Sequence, residues 1–288
     1  MVKVCTLSLT CCAGCLSSLV NAGEELVNLL GDVDVVYSTT FMDTREIPRV
    51  DLAIVEGGVR TEEDEELLRE LRAKTETLVA LGICATHGGV TSLGNILSLK
   101  KLLEERYTMV HSASLPELKD MMYPICTFVD VDCYIPGCPP MPNLITKTLK
   151  SLIRGEKPER FREVVCVECP RKIVPVKPGR LYGIYEKEAD PKICLLSQGF
   201  VCLGSLTRRG CGAPCPTVGF TCFGCRGPSD PLLYRSRDLH EVLVRATSGR
   251  TGIPVEEVRR ELYRNPFVFH AFIFSKKVER FKSKERVI

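Results

Sequence analysis

Over the first 155 residues, short β-branched runs alternate with stretches of helical period, the pattern of a parallel α/β sheet. Val2–Leu9 reads as a first strand, and Leu16–Leu30 as one following helix closed by Gly31. Val33–Ser38 is a second strand, and Val50–Val55 a third whose unbroken apolar run places it inside the sheet. Thr61 caps the next helix, with Asp64 three residues on and acidic side chains crowding the first turn. Thr77–Leu81 and Val129–Ile135 read as fourth and fifth strands, and Pro142 opens a helix reaching Ile153.

The pattern then stops. Arg154–Arg162 is rich in charge and contains Gly155 and Pro158, which sets a boundary between residues 1–155 and 156–288. Residues 163–232 are dense in Gly, Pro and Cys and show little sustained period. Such a segment lacks the apolar positions for a core of its own, so bound metal is expected to organise it. Short helices are expected near Arg237–Thr247 and Pro254–Tyr263, and Ser275–Ile288 reads as a basic, solvated tail.

Composition changes this picture in one respect. A hydrophobic fraction of 44% and a charged fraction of 26% are ordinary, and a formal charge of +3 gives no case for nucleic acid or an anionic membrane. Sixteen cysteines are not ordinary. Four fall between Cys5 and Cys15 and eight between Cys166 and Cys225, with Cys84, Cys126, Cys133 and Cys138 between the groups. Clustered Cys-x-x-Cys pairs point to metal in a reducing compartment. The apolar stretch Val4–Ala22 has only Lys3 before it as positive charge and is interrupted by polar residues, so it is not expected to direct export. No unbroken apolar run reaches membrane-spanning length. A cytoplasmic protein is expected.

The cysteines fall where a parallel sheet binds ligands, outside the carboxyl ends of its strands. Cys12-Ala13-Gly14-Cys15 follows the first strand, Cys84 the fourth and Cys138 the fifth. Glycines in GICATHGG let backbone approach an inorganic core, and prolines in IPGCPP stiffen the loop that presents Cys138. Four thiolates from three loops suit a 4Fe–4S cluster. Downstream, Cys166, Cys169, Cys194 and Cys202 form one set by proximity, and Cys211, Cys215, Cys222 and Cys225 another. Spacing alone admits other partitions, and zinc is an alternative for this region.

CAGC, GICATHGG and IPGCPP, in this order, resemble the proximal-cluster domain of nickel–iron hydrogenase small subunits, a flavodoxin-like fold shared with a cluster-bearing subunit of respiratory complex I. KICLLSQGFVCLG, CGAPC and CFGCRGP resemble the cluster domain that follows it in the hydrogenases. The resemblance covers residues 1–230 and implies three 4Fe–4S clusters. Cys12, Cys15, Cys84 and Cys138 match the proximal ligands; Cys211, Cys222 and Cys225 match the medial ones. Cys215 stands where many relatives have proline, which implies a complete medial cubane. Cys169, Cys194 and Cys202 match the distal ligands, with Cys166 in place of the usual histidine.

Within that family the chain resembles the cytoplasmic enzymes of methanogenic and related archaea. The nearest resemblance is to the methyl-viologen-reducing hydrogenase associated with heterodisulfide reductase, with the deazaflavin-reducing hydrogenase a near relative. The implied partners are a large subunit holding the nickel–iron site and an electron-accepting iron–sulfur subunit. No catalytic residue is expected in this chain, and no activity of the chain alone. The alternatives from other classes are a zinc-stabilised scaffold and a free-standing multi-cluster ferredoxin. His87 reads as a hydrogen-bonded structural group and Glu56 as either a polar neighbour of the proximal cluster or a cap on loop N–H groups. Cys5 and Cys133 read as core, Cys11 is left outside the ligand set, and Cys126 has no role assigned.

Overall fold

The computed structural model describes residues 1–107, 116–175, 177–230 and 239–264. The chain divides into two compact units, the first running to Arg160 and the second beginning at Phe161.

The first unit is built on a five-stranded parallel sheet. Its strands are β1 (Val2–Ser8), β2 (Val33–Ser38), β3 (Val50–Glu56), β5 (Thr75–Leu81) and β7 (Cys133–Ile135), in the order β2-β1-β3-β5-β7. Apolar runs on β1, β3 and β5 are buried on both faces, and Leu7, Val55, Leu78 and Ala80 are fully enclosed. The helix α3 (Glu62–Ala73) starts at a complete capping box. Thr61 Oγ1 accepts from the Asp64 N–H, and Asp64 accepts from the Thr61 N–H, both at 3.0 Å. Leu68 and Leu71 of this helix enter the core. The helix α6 (Pro142–Ile153) carries its proline in the first turn, as predicted.

Three expectations are corrected. Leu16–Leu30 is two helices, α1 (Gly14–Val20) and α2 (Glu24–Leu30), broken at Gly23, whose φ of +58° takes the chain out of helical geometry. Gly31 ends α2 with φ −65°, so the closing residue is not left-handed. The last strand begins only at Cys133. Asp132 pairs with β5 partly through its side chain: its N–H donates to the Leu78 carbonyl and its carboxylate accepts from the Leu78 N–H, each at 2.9 Å.

Sequence patterning missed a small antiparallel pair, β4 (Val59–Thr61) with β6 (Leu118–Tyr123), and the helices α4 (Gly82–His87) and α5 (Leu99–Arg106). Elements of three to eight residues carry too few positions to declare a period.

The second unit has little regular structure before its end. Short 3₁₀ turns and a four-residue helix, α7 (Pro214–Thr217), hold the cysteine segment, followed by α8 (Leu239–Thr251) and α9 (Val255–Arg264). Its apolar cluster joins Leu203 and Leu206 to Leu243, Val244, Ile253, Val258 and Leu262. Most of that core therefore comes from the two helices. A second small cluster is built from Val165, Ala213 and Cys222, with Cys169, Cys202 and Cys211 packed on it. The predicted basic tail, Ser275–Ile288, lies outside the described residues. Among the described residues no helix is long and apolar enough to cross a membrane.

Candidate metal centres

Strands β1, β3, β5 and β7 end on one edge of the sheet. β1 leads to the turn holding Cys12 and Cys15, β3 ends on Glu56, β5 runs into α4 with Cys84, and β7 leads to Gly137 and Cys138. The loops are cut to fit one another. At Gly82 (φ +87°) a Cβ would lie 2.2 Å from Cys15 Sγ, and at Gly89 (φ +59°) one would lie 2.6 Å from Cys84 Sγ. Both distances are below any real contact, so only glycine lets these sulfurs sit where they do. The Ile83 N–H donates to the Gly137 carbonyl at 2.8 Å, tying the Cys84 loop to the Cys138 loop.

The four thiols share one electrostatic neighbourhood. Burial pushes the Cys15 thiol up, and negative charge on Glu56, Cys84, Cys138 and Cys12 pushes it further. Burial also raises Cys84, against the hydroxyl and N–H of Thr91, which donate to its sulfur. Burial and neighbouring negative charge thus both disfavour the thiolate forms of Cys15 and Cys84.

Glu56 is only 1% exposed. Its carboxylate accepts from the Ser8 hydroxyl at 2.9 Å and from the Cys15 and Leu16 N–H groups at 3.2 Å each. Helix α1 has no capping side chain of its own, so Glu56 caps it from the neighbouring strand while standing beside Cys15. The capping role weighed for it from sequence is thus present. Cys11 accepts from the Ala13 N–H at 3.4 Å, and burial followed by the nearby Glu56 pushes its thiol up to about 11. His87 is fully buried, with Nδ1 2.8 Å from the Thr86 hydroxyl oxygen. Cys5, Cys126 and Cys133 belong to the core.

In the second unit, Cys166, Cys169, Cys194 and Cys202 lie within electrostatic reach of one another. Although Cys166 as a residue is exposed, its sulfur is largely desolvated, which pushes the thiol up to about 12, helped by Cys202, Cys194 and Cys169 and opposed by the exposed Arg250. The Cys202 sulfur is buried and receives N–H groups from Cys222, at 3.3 Å, and from Gly204. Cys211 is raised by burial, lowered by the Ala213 N–H and the Arg226 charge, and raised again by Glu168 and Cys215. Cys222 is pushed up by burial and then by Cys202, with Cys225 adding to it. Cys222 is therefore the point where the two groups meet. A Cβ at Gly204 would lie at 3.5 and 3.6 Å from the sulfurs of Cys166 and Cys202 and 3.7 Å from Cys222 Cβ.

Both units use the same local device. Ala13 (φ +58°) and Ala213 (φ +52°) are the two non-glycine residues with positive φ among the described residues. Each sits in a cysteine loop and donates its N–H to a sulfur two residues earlier, Cys11 and Cys211. Strain of this kind is characteristic of sites held by their surroundings.

Three contributors were not assigned from sequence. Glu168, between Cys166 and Cys169, accepts from the Gly210 and Gly212 N–H groups at 2.8 and 3.0 Å and so braces the loop around Cys211. Arg226, directly after Cys225, is 1% exposed, and burial lowers it to about 10, with Cys211 the first charge opposing that fall. A charged residue among the small ones of CFGCRGP was the available signal. Thr91 carried none. Among the described residues the cysteines form no disulfide, and no three His, Cys, Asp or Glu side chains converge on a single ion. Thiols are soft donors, suited to zinc or to iron–sulfur clusters.

Residues 12–152 match the family described as NADH ubiquinone oxidoreductase, 20 Kd subunit. The vhu G subunit of the F420-non-reducing hydrogenase of Methanocaldococcus jannaschii is 38% identical over 262 residues, covering 88% of this chain and 91% of that one. The iron-sulfur G subunit of the F420-non-reducing hydrogenase of Archaeoglobus profundus is 31% identical over 259 residues, covering 76% and 80%. Among solved structures, a chain of an NAD+-reducing [NiFe]-hydrogenase in the H2-reduced state superposes with a TM-score of 0.52 at 31% identity, over 55% of this chain and 94% of that one. The chain belongs to the family of F420-non-reducing hydrogenase G subunits, small subunits of the nickel–iron hydrogenase type, and is a component of an oxidoreductase complex.

Proposed function

We propose that this chain is the electron wire of its hydrogenase. It takes electrons from a separate large subunit holding the nickel–iron site and passes them through three 4Fe–4S clusters to an iron–sulfur or flavin partner. One observation carries the proposal: in each unit cysteines lie within electrostatic reach of one another, Cys15 of Cys84, Cys138 and Cys12, Cys166 of Cys202, Cys194 and Cys169, Cys211 of Cys215, and Cys222 of Cys202 and Cys225. A donor set of that kind is at ease only as thiolates around positive charge.

The residues fit cubane clusters. Gly82 and Gly89 leave room for sulfurs that any side chain would displace, and N–H groups of Gly204, Cys222 and Ala213 point at thiols as they would at cluster sulfurs. Cys12, Cys15, Cys84 and Cys138 would hold the proximal cluster. Cys211, Cys215, Cys222 and Cys225 would hold the medial one, and Cys166, Cys169, Cys194 and Cys202 the distal one. Bound clusters of this type supply one-electron storage at potentials set by charge, hydrogen bonding and exposure. The chain's own part is to space them, keep water away and stabilise the added charge.

Cys202 and Cys222 link the last two sets through one N–H···S hydrogen bond of 3.3 Å. Cys166 is exposed, which suits an exit toward an acceptor. The large subunit, an acceptor serving heterodisulfide reductase and a cytoplasmic setting follow from the resemblance to the methyl-viologen-reducing enzymes. The deazaflavin-reducing type is the other reading.

Anaerobic purification with native partners tests the proposal. A nickel-containing subunit should co-elute, and hydrogen should reduce viologen dye through the assembly but not the deazaflavin. Elution without nickel would favour a generic ferredoxin, and deazaflavin reduction would favour the second hydrogenase type.

A further inference from the structure

Granting the relay function proposed above, on which this rests, we infer that Arg226 is a fixed buried cation that raises the reduction potential of the cluster held by Cys211, Cys215, Cys222 and Cys225.

Arginine is among the last residues expected in an interior, yet Arg226 is one of the two largest fully enclosed side chains of the second unit. It is fixed in place. Its Nε donates to the Arg209 carbonyl at 3.0 Å. Gly210, with φ +110°, leaves the space for it: a Cβ there would lie 3.1 Å from Arg226 Nη2 and 2.7 Å from Phe161 Cδ2. Gly210 precedes Cys211 and Arg226 follows Cys225, so the guanidinium, packed beside Gly210, belongs to the loops that carry two thiols of one proposed set.

A buried guanidinium is costly unless negative charge accompanies it. The other fully enclosed arginine, Arg208, has Asp230 at 2.6 Å. Around Arg226 the charges are Cys211 first, then the like charge of Arg208, then Cys225 and Glu168. Two cysteines of the proposed set thus stand among its counter-charges.

No bond is made or broken at this residue. A cluster held there would accept one electron from the preceding cluster and pass it to the next, and its reduced core would carry one more negative charge beside Arg226. A cation held in a water-excluded position stabilises the charged state for as long as it lasts. The other two sets are built differently. Beside Cys15 the buried charge is the Glu56 carboxylate, of opposite sign. Near Cys166 the cation is Arg250, which is exposed and therefore screened.

The test uses the complete complex, purified anaerobically and titrated electrochemically with electron paramagnetic resonance as readout. Arg226→Met and Arg226→Gln remove the charge in two shapes, and Arg226→Lys keeps it. At the potential where the wild-type medial signal is half developed, the neutral variants should favour the oxidised form by about tenfold, a shift of about 59 mV for one electron. Arg226→Lys should titrate near wild type. Loss of medial iron from both neutral variants, with retention in Arg226→Lys, would support the same requirement for charge. A wild-type potential in a fully loaded neutral variant, or equal iron loss from all three, would overturn the inference. A wild-type complex with no medial cubane signal would instead sink the relay function beneath it.

Discussion

The two cysteine-bearing units solve one problem in opposite ways. In the first, a parallel sheet with a large apolar core owes nothing to the sulfurs at its edge, and the strands deliver Cys12, Cys15, Cys84 and Cys138 to an edge that already exists. In the second, cysteines are themselves part of the packing, with Cys222 buried beside Val165 and Ala213, and Cys169, Cys202 and Cys211 packed on them. The sheet positions ligands; the second unit is positioned by them. The fixed charges differ as well, a buried carboxylate beside one set and a buried guanidinium beside another.

Iron starvation should separate the two units most strongly. Chain made without iron should keep the sheet unit resistant to protease, while residues 161–230 become sensitive, because binding energy there is folding energy. Equal resistance in both would erase the distinction. Next in size is a pair of glycine substitutions. Gly82→Ala forces a methyl to 2.2 Å from Cys15 Sγ at a φ of +87°, and should abolish the proximal cluster and hydrogen-dependent dye reduction. The loss should exceed the roughly 100-fold that removal of a supporting group costs at metal sites. Gly204→Ala meets only contacts of 3.5–3.7 Å and should leave iron content and rate near wild type. Matching losses in the two variants would show that close approach is not what these glycines provide.

Glu56→Gln is a smaller perturbation. It keeps one acceptor oxygen where the carboxylate has two, both used, and should lower stability to denaturant by about 1–3 kcal/mol. It should also raise the potential of the proximal cluster, the opposite direction to neutralising Arg226. An unchanged proximal potential would confine Glu56 to its capping role. Smallest of all, Thr61→Ala removes the cap of α3 and should cost about 1 kcal/mol with no change in any cluster spectrum.

What could be read from sequence divides along the same line. The sheet was legible because β-branched runs, a capping box and Pro142 are local signals that agree with the final packing. Its errors are local too. Gly23 breaks a helix whose apolar period continues past it, and Asp132 substitutes a side chain for strand pairing. The cysteines of the sheet edge could be grouped because each follows a strand. In the second unit the cysteine positions were visible, but the groups that act on them were not. Arg226 and Glu168 act through hydrogen bonds to Arg209, Gly210 and Gly212, and no period or spacing announces such contacts. Cys222 shows the same limit: its reach to Cys202 of the other set belongs to the folded chain alone.

Metal and sulfide analysis of the anaerobically purified chain bears most directly on whether the thiols hold cubanes. Three such clusters predict about 12 iron and 12 inorganic sulfide per chain. Two or three zinc with no sulfide would contradict the account.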